Sequence, residues 1–106
     1  MRCIGSFLLF CSFTATAQDV VGNWQLDKHL MILNNDGTFF ASGYEPIDDQ
    51  YGTYRLEKNK IYFTYNMYNG LVNASYGFTI DEDGSLLLYD ELGYTLEYVR
   101  VEQPNY

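Results

Sequence analysis

From Val20 to Val101 the chain alternates short runs of β-branched and aromatic residues with clusters of Gly, Asn and Asp, and no stretch holds a 3.6-residue apolar period over three turns. This pattern predicts an all-β domain. Eight strands are expected: Val21 to Asp27, His29 to Asn34, Thr38 to Tyr44, Tyr51 to Glu57, Lys60 to Met67, Ala74 to Asp81, Ser85 to Asp90 and Tyr94 to Val101. The connections Asn35-Asp36-Gly37, Lys58-Asn59, Glu82-Asp83-Gly84 and Glu91-Leu92-Gly93 are too short for a parallel crossover. They carry residues that tolerate positive φ and therefore read as antiparallel hairpins. Two connections are longer, Glu45 to Gln50 and Tyr68 to Asn73, and these are where a fold of tight hairpins would keep adaptable loops.

Strand alternation places Val20, Gly22, Trp24 and Leu26 on one side of the first strand, and Ile61, Phe63, Tyr65 and Met67 on one side of the fifth. Tyr76, Phe78 and Ile80 share a side of the sixth, and Tyr94, Leu96 and Tyr98 a side of the eighth. Polar residues such as Gln25, Thr64, Ser75, Thr79 and Glu97 fall opposite them. One apolar and one wet face on every strand is met most simply by a small eight-stranded antiparallel up-and-down β-barrel, which also removes exposed edges. A two-layer sandwich is the alternative.

The N-terminus follows a different rule. Met1-Arg2 is a short basic start, the run from Cys3 to Phe13 is apolar, and Ala15-Thr16-Ala17 fits a small-residue cleavage site. These three regions predict a secretory signal peptide over 1–17, cut before Gln18, with a single β-barrel domain over 18–106. The apolar run is shorter than the roughly 18 residues that span a bilayer. Cys11 follows Phe10 rather than the small residue that a lipid-modified Cys requires, so a soluble secreted or periplasmic protein is expected, with no stable membrane insertion. Removing the first 17 of 106 residues leaves 89, takes both cysteines away, and by loss of Arg2 moves the formal charge from −8 to −9. No disulfide, thiol nucleophile or thiolate metal site is then available.

Composition narrows the partners. Hydrophobic residues at 47% and aromatics at 18% exclude a disordered acidic tail and supply core material for a domain of this size. The excess of acidic over basic side chains repels phosphate backbones, so nucleic acid is not an expected partner, and it offers no basic patch to an anionic membrane.

Candidate chemistry is sparse. Asp81-Glu82-Asp83-Gly84-Ser85 resembles the start of a calcium loop, but Leu86 and Leu92 stand where that loop needs Gly and Glu, so the segment reads as an acidic hairpin turn. His29 is the only histidine, and Ser42, Ser75 and Ser85 lack a nucleophile-elbow context. Asp48 and Asp49 are neighbours on a loop, unlike the facing carboxylates of a glycosidase. A non-enzymatic protein with no cofactor and no metal site is expected. Tyrosine is the distinctive residue, with 11 copies. Tyr44, Tyr51, Tyr54, Tyr62, Tyr68 and Tyr89 fall where alternation does not require burial, and tyrosine offers a rigid contact surface with a polar tip.

Several landmarks recur in order along the chain: Gly22-Asn23-Trp24, then Asn35-Asp36-Gly37-Thr38-Phe39, Gly52-Thr53-Tyr54, Asp83-Gly84-Ser85-Leu86 and Tyr98-Val99-Arg100-Val101. In this series, which begins with a G-x-W start and ends in Y-x-R-V, the chain resembles the short lipocalin-like domains of exported bacterial proteins. The resemblance implies barrel closure by Gly22, Trp24 and Arg100, with the guanidinium across the indole face. It also implies binding of a small hydrophobic or aromatic ligand, for which Tyr44, Tyr51, Tyr65, Tyr68 and Tyr76 are the candidate residues. Strands of about seven residues extend only about 23 Å, and eight of them enclose an interior that side chains fill or that holds one small ligand. A protein-binding barrel, such as an inhibitor or immunity-like partner of a cationic secreted hydrolase, is the alternative, steered by the acidic surface. Sequence leaves the oligomeric state open.

Overall fold

The computed structural model describes residues 17–43, 45, 48–67 and 70–102; residues 1–16, on which nearly all of the expected leader falls, lie outside that set, as do Tyr44 and Tyr68. The strands are β1 (Gly22–Leu26), β2 (His29–Leu33), β3 (Thr38–Ala41), β4 (Gln50–Glu57), β5 (Lys60–Met67), β6 (Gly70–Ile80), β7 (Leu86–Tyr89) and β8 (Thr95–Val101). Each pairs antiparallel with the next and β8 returns to β1, giving a closed eight-stranded barrel. Apolar residues at alternate positions face inward, where Trp24, Leu33, Phe39, Ile61, Phe63 and Leu86 form the buried cluster.

Three hairpins share one device. In 34–38, 81–85 and 90–94 an Asp carboxylate accepts backbone N–H groups inside the turn: Asp36 from Thr38 at 3.0 Å, Asp81 from Asp83 and Ser85 at 2.9 Å, and Asp90 from Leu92 and Tyr94 at 2.9 Å. The glycine before the next strand adopts φ of +85° to +89°, the bulge position that a longer side chain disfavours. The Asp81 carboxylate is thus engaged by its own backbone, in agreement with the hairpin reading of that segment.

Asp36 makes a testable case. Its Oδ1 also accepts the Thr38 hydroxyl at 2.6 Å, and these bonds, the hydroxyl's first, hold its carboxyl below the ordinary value of 3.8. A depressed folded-state pKa gives stability that is fully present above the unfolded pKa, near 4, and is lost as pH falls through the folded value. In urea unfolding, the gap between wild type and Asp36→Ala should therefore narrow steadily as pH drops below about 4. A gap independent of pH would contradict the assignment.

Four local expectations need correction. Residues 70–73 are strand, because Gly70, Leu71, Val72 and Asn73 pair with Met67, Asn66, Tyr65 and Thr64. Asn73, a turn-former by composition, here takes the Thr64 hydroxyl as a cross-strand partner at 2.9 Å. Only 68–69 stand between β5 and β6, so the second long loop disappears. Val20 belongs to a single helical turn, α1 (Ala17–Val20), rather than to the first strand. Tyr54 is buried facing inward and donates its hydroxyl to the Asn34 carbonyl at 2.8 Å, while Tyr94 lies exposed in a turn, outside β8.

Candidate functional site

The barrel has one plugged end and one mouth. At the plugged end Trp24 is fully buried and its indole N–H donates to the Val20 carbonyl at 2.8 Å, which ties α1 under the barrel. Arg100 lies over the indole, with its guanidinium carbon 4.2 Å from the ring centroid. The guanidinium also donates to the carbonyls of Val21 at 2.8 Å and Asp19 at 2.7 Å. Gly22 leaves the room for this, since a Cβ at its φ of +147° would collide with the Arg100 side chain. Stacking of this kind contributes roughly 0.5–2 kcal/mol according to how far the charge is desolvated.

The mouth lies at the opposite end, where β1 turns into β2, the 42–49 loop joins β3 to β4, and β7 turns into β8. The described ends of the long loop are fastened there by hydrogen bonds. Ser42 donates its amide to the Leu30 carbonyl and accepts the Leu30 amide on its hydroxyl, both at 2.8 Å. Asp49 accepts the Gly43 amide at 2.9 Å, so its carboxylate shapes the loop.

Inside the barrel is a cavity of about 110 Å³. It exists because Ala41 and Ala74 occupy inward positions beside much larger neighbours, Ala74 pairing directly with Phe63. Among the described residues five aromatic rings line it: Phe39, Phe63, Tyr65, Tyr76 and Tyr98. Phe39 meets Phe63 with ring centroids 4.8 Å apart and planes at 61°, and it meets Tyr65 at 6.2 Å and 82°. Phe63 meets Tyr76 at 6.0 Å and 71°. The rings therefore stand at steep angles to one another, like the walls of a box.

Among the described residues no charged side chain lines the cavity, and the polar side chains in its wall are those of Gln50 and the three tyrosines. Burial raises the pKa of Tyr76, with smaller contributions from Tyr65 and Asp90. Burial likewise raises that of Tyr98, with Tyr76 adding to it. Among the described residues no buried side-chain polar atom lacks a hydrogen-bond partner, so the Tyr65, Tyr76 and Tyr98 hydroxyls, which have none among those residues, reach solvent at the cavity. Such a wall gives ring faces for contact and a few donors for orientation.

Of the candidate tyrosines, Tyr65 and Tyr76 are brought together on the cavity. Tyr51 points to the outer surface, where its ring lies 5.0 Å from that of Phe40, so it does not line this site. Tyr44 and Tyr68 lie outside the described residues. Tyr98 and Gln50 complete the polar lining, and alternation in β8 was the signal for the first of these, since it put Tyr98 on the face of Leu96. Among the described residues no group of His, Cys, Asp and Glu is arranged to hold a metal ion, and no helix is long and apolar enough to cross a membrane. No protein-family model, curated protein or solved structure matches the chain, and the functional reading therefore rests on the barrel and its cavity.

Proposed function

We propose that the protein is an exported, lipocalin-like binding barrel without enzymatic activity, whose site for a small, largely apolar ligand is the cavity at the mouth end. The observation behind this reading is the ring-lined space of about 110 Å³ with three tyrosines in its wall. An apolar cavity of about 150 Å³ is enough for benzene, so the fitting ligand has on the order of five or six heavy atoms enclosed. A large lipid does not fit this interior.

The test uses a side chain that fills the space. tert-Butanol titrated into the protein should shift the NMR signals of Ala74, Tyr76 and Tyr98, and Ala74→Leu should abolish those shifts. The same substitution should leave thermal stability equal or higher by up to about 2 kcal/mol, as expected for a filled cavity. Shifts confined to the outer surface, or undiminished in Ala74→Leu, would reject the cavity as the site.

A docking role is the second reading, favoured by one observation. The exposed large apolar side chains Tyr51, Leu71, Leu92 and Tyr94 all sit toward the mouth, with Leu92 82% exposed.

A further inference from the structure

The cavity's shape and its electrostatics point to one ligand class. We infer that it takes a small methylated ammonium, a compact organic cation, in preference to neutral or anionic molecules of the same size. This rests on the reading of the cavity as the binding site.

Shape is the first argument. Phe39 and Phe63, Phe39 and Tyr65, and Phe63 and Tyr76 meet at 61°, 82° and 71°, so the rings enclose a rounded volume. A flat ligand finds no pair of parallel walls among these rings to stack between. A near-spherical group bearing several methyls contacts all the walls at once.

Charge is the second. The negative face of an aromatic ring attracts a cation, and the attraction is strongest where water is excluded. Among the described residues five rings line the space, and neither Lys nor Arg is there to repel a cation or to pair with an anion. A carboxylate entering here would lose its water and find only phenol and amide donors, which is costly. A primary ammonium is also poorly served, because it brings three strong donors to a wall with few acceptors. A methylated ammonium has spread its charge over the methyl groups and has few or no donors to satisfy.

The mouth supplies the third. Asp27, Glu45, Asp48, Asp49, Asp90 and Glu91 all lie in the connections at that end, against Lys28 as the one Lys or Arg there among the described residues. Arg55, Lys58, Lys60 and Arg100 stand on the strands and turn toward the other end. Asp27, Lys28 and His29 also line a shallow hollow beside Gly43 at the mouth. A cleft fringed by one sign of charge raises the local concentration of the opposite ion. After burial and Tyr65, the Asp90 charge adds to the rise in the Tyr76 pKa.

Three probes with the same branched core but different charge make the test: tetramethylammonium, tert-butanol and trimethylacetate, each titrated into the full mature protein and followed by NMR at Ala74, Tyr76 and Tyr98. Tetramethylammonium should bind about tenfold more tightly than tert-butanol, equivalent to about 1.4 kcal/mol, and trimethylacetate should be weakest. The margin over tert-butanol should shrink as salt rises. Tyr76→Phe, which keeps the ring, should retain cation binding, whereas Tyr76→Leu should weaken it at least fivefold while affecting tert-butanol less. If tert-butanol binds in the cavity as well as or better than the cation, the ligand class is wrong and the cavity reading stands. If none of the three reaches the cavity, the cavity reading itself falls.

Discussion

Trp24→Ala is expected to remove about 3–5 kcal/mol of folding stability, the range for truncating a large buried aromatic. The indole is fully buried, donates to the Val20 carbonyl and carries the Arg100 guanidinium on its face, so its loss empties the plug and strands two partners. Domains of this size are stable by only about 5–15 kcal/mol, and each kcal/mol moves the melting temperature by roughly 4–8 °C. A fall of at least about 15 °C should follow, read by circular dichroism because Trp24 is the chain's single tryptophan and its fluorescence leaves with it. Trp24→Phe keeps a ring beneath Arg100 and should lose roughly half as much. An alanine variant that melts within about 3 °C of the wild type would overturn this account of the plugged end.

Gly52→Ala should be nearly as damaging although it adds one methyl group. Gly52 pairs with Phe39 on one side and Tyr65 on the other, and the rings of those neighbours meet across it with centroids 6.2 Å apart. A Cβ there would overlap the Thr64 carbonyl oxygen and lie 2.9 Å from its carbon and 3.0 Å from the Tyr65 Cα. These are backbone atoms of the paired strand, so relief requires β4 to move away from β5. The expected cost is about 3 kcal/mol, the upper end for overpacking. Gly77→Ala is the matched control: its Cβ would meet nothing closer than 3.7 Å, and the change should be neutral or stabilising by up to about 1 kcal/mol. Equal behaviour of the two variants in urea unfolding would show that close approach is not what Gly52 provides.

The strand pattern was legible because alternation and turn chemistry agreed. Lys60 to Met67 is the β5 observed, and the Gly37, Gly84 and Gly93 hairpins are turns in which glycine and Asp play distinct and separable parts. Alternation failed where composition misled: Asn69-Gly70 and Asn73 look like a loop, yet β6 continues through Gly70 to Asn73 because β5 offers unpaired partners there. The G-x-W start and the late Arg pointed to the contact between Trp24 and Arg100, but not to α1 beneath it, since four residues are too few to show a helical period. Within the site, Tyr65 and Tyr76 were readable as inward residues with a polar tip. Tyr51, expected where alternation does not require burial, is exposed on the outer face, and an exposed tyrosine carries the same sequence signal whether it borders a cavity or only solvent. The cavity itself depends on absences of volume at Ala41 and Ala74, and small residues leave no periodic trace.

The closure of β8 against β1 has a consequence for how the molecule forms. Every other strand pair is a neighbour in sequence and can zip from its own turn, whereas Arg100 reaches Val21 across 79 positions. The entropy of joining distant segments grows with the logarithm of the intervening length, at roughly 0.6 kcal/mol for each doubling. The seam is therefore the costliest junction in the sheet and has the fewest reasons to form early. The stack of Arg100 on Trp24 spans that same seam, so it acts as a latch on a sheet that is already curled rather than as a nucleus. A barrel built this way gains its resistance to opening at the last step, and its first and last strands meet at the one place where the ring was completed.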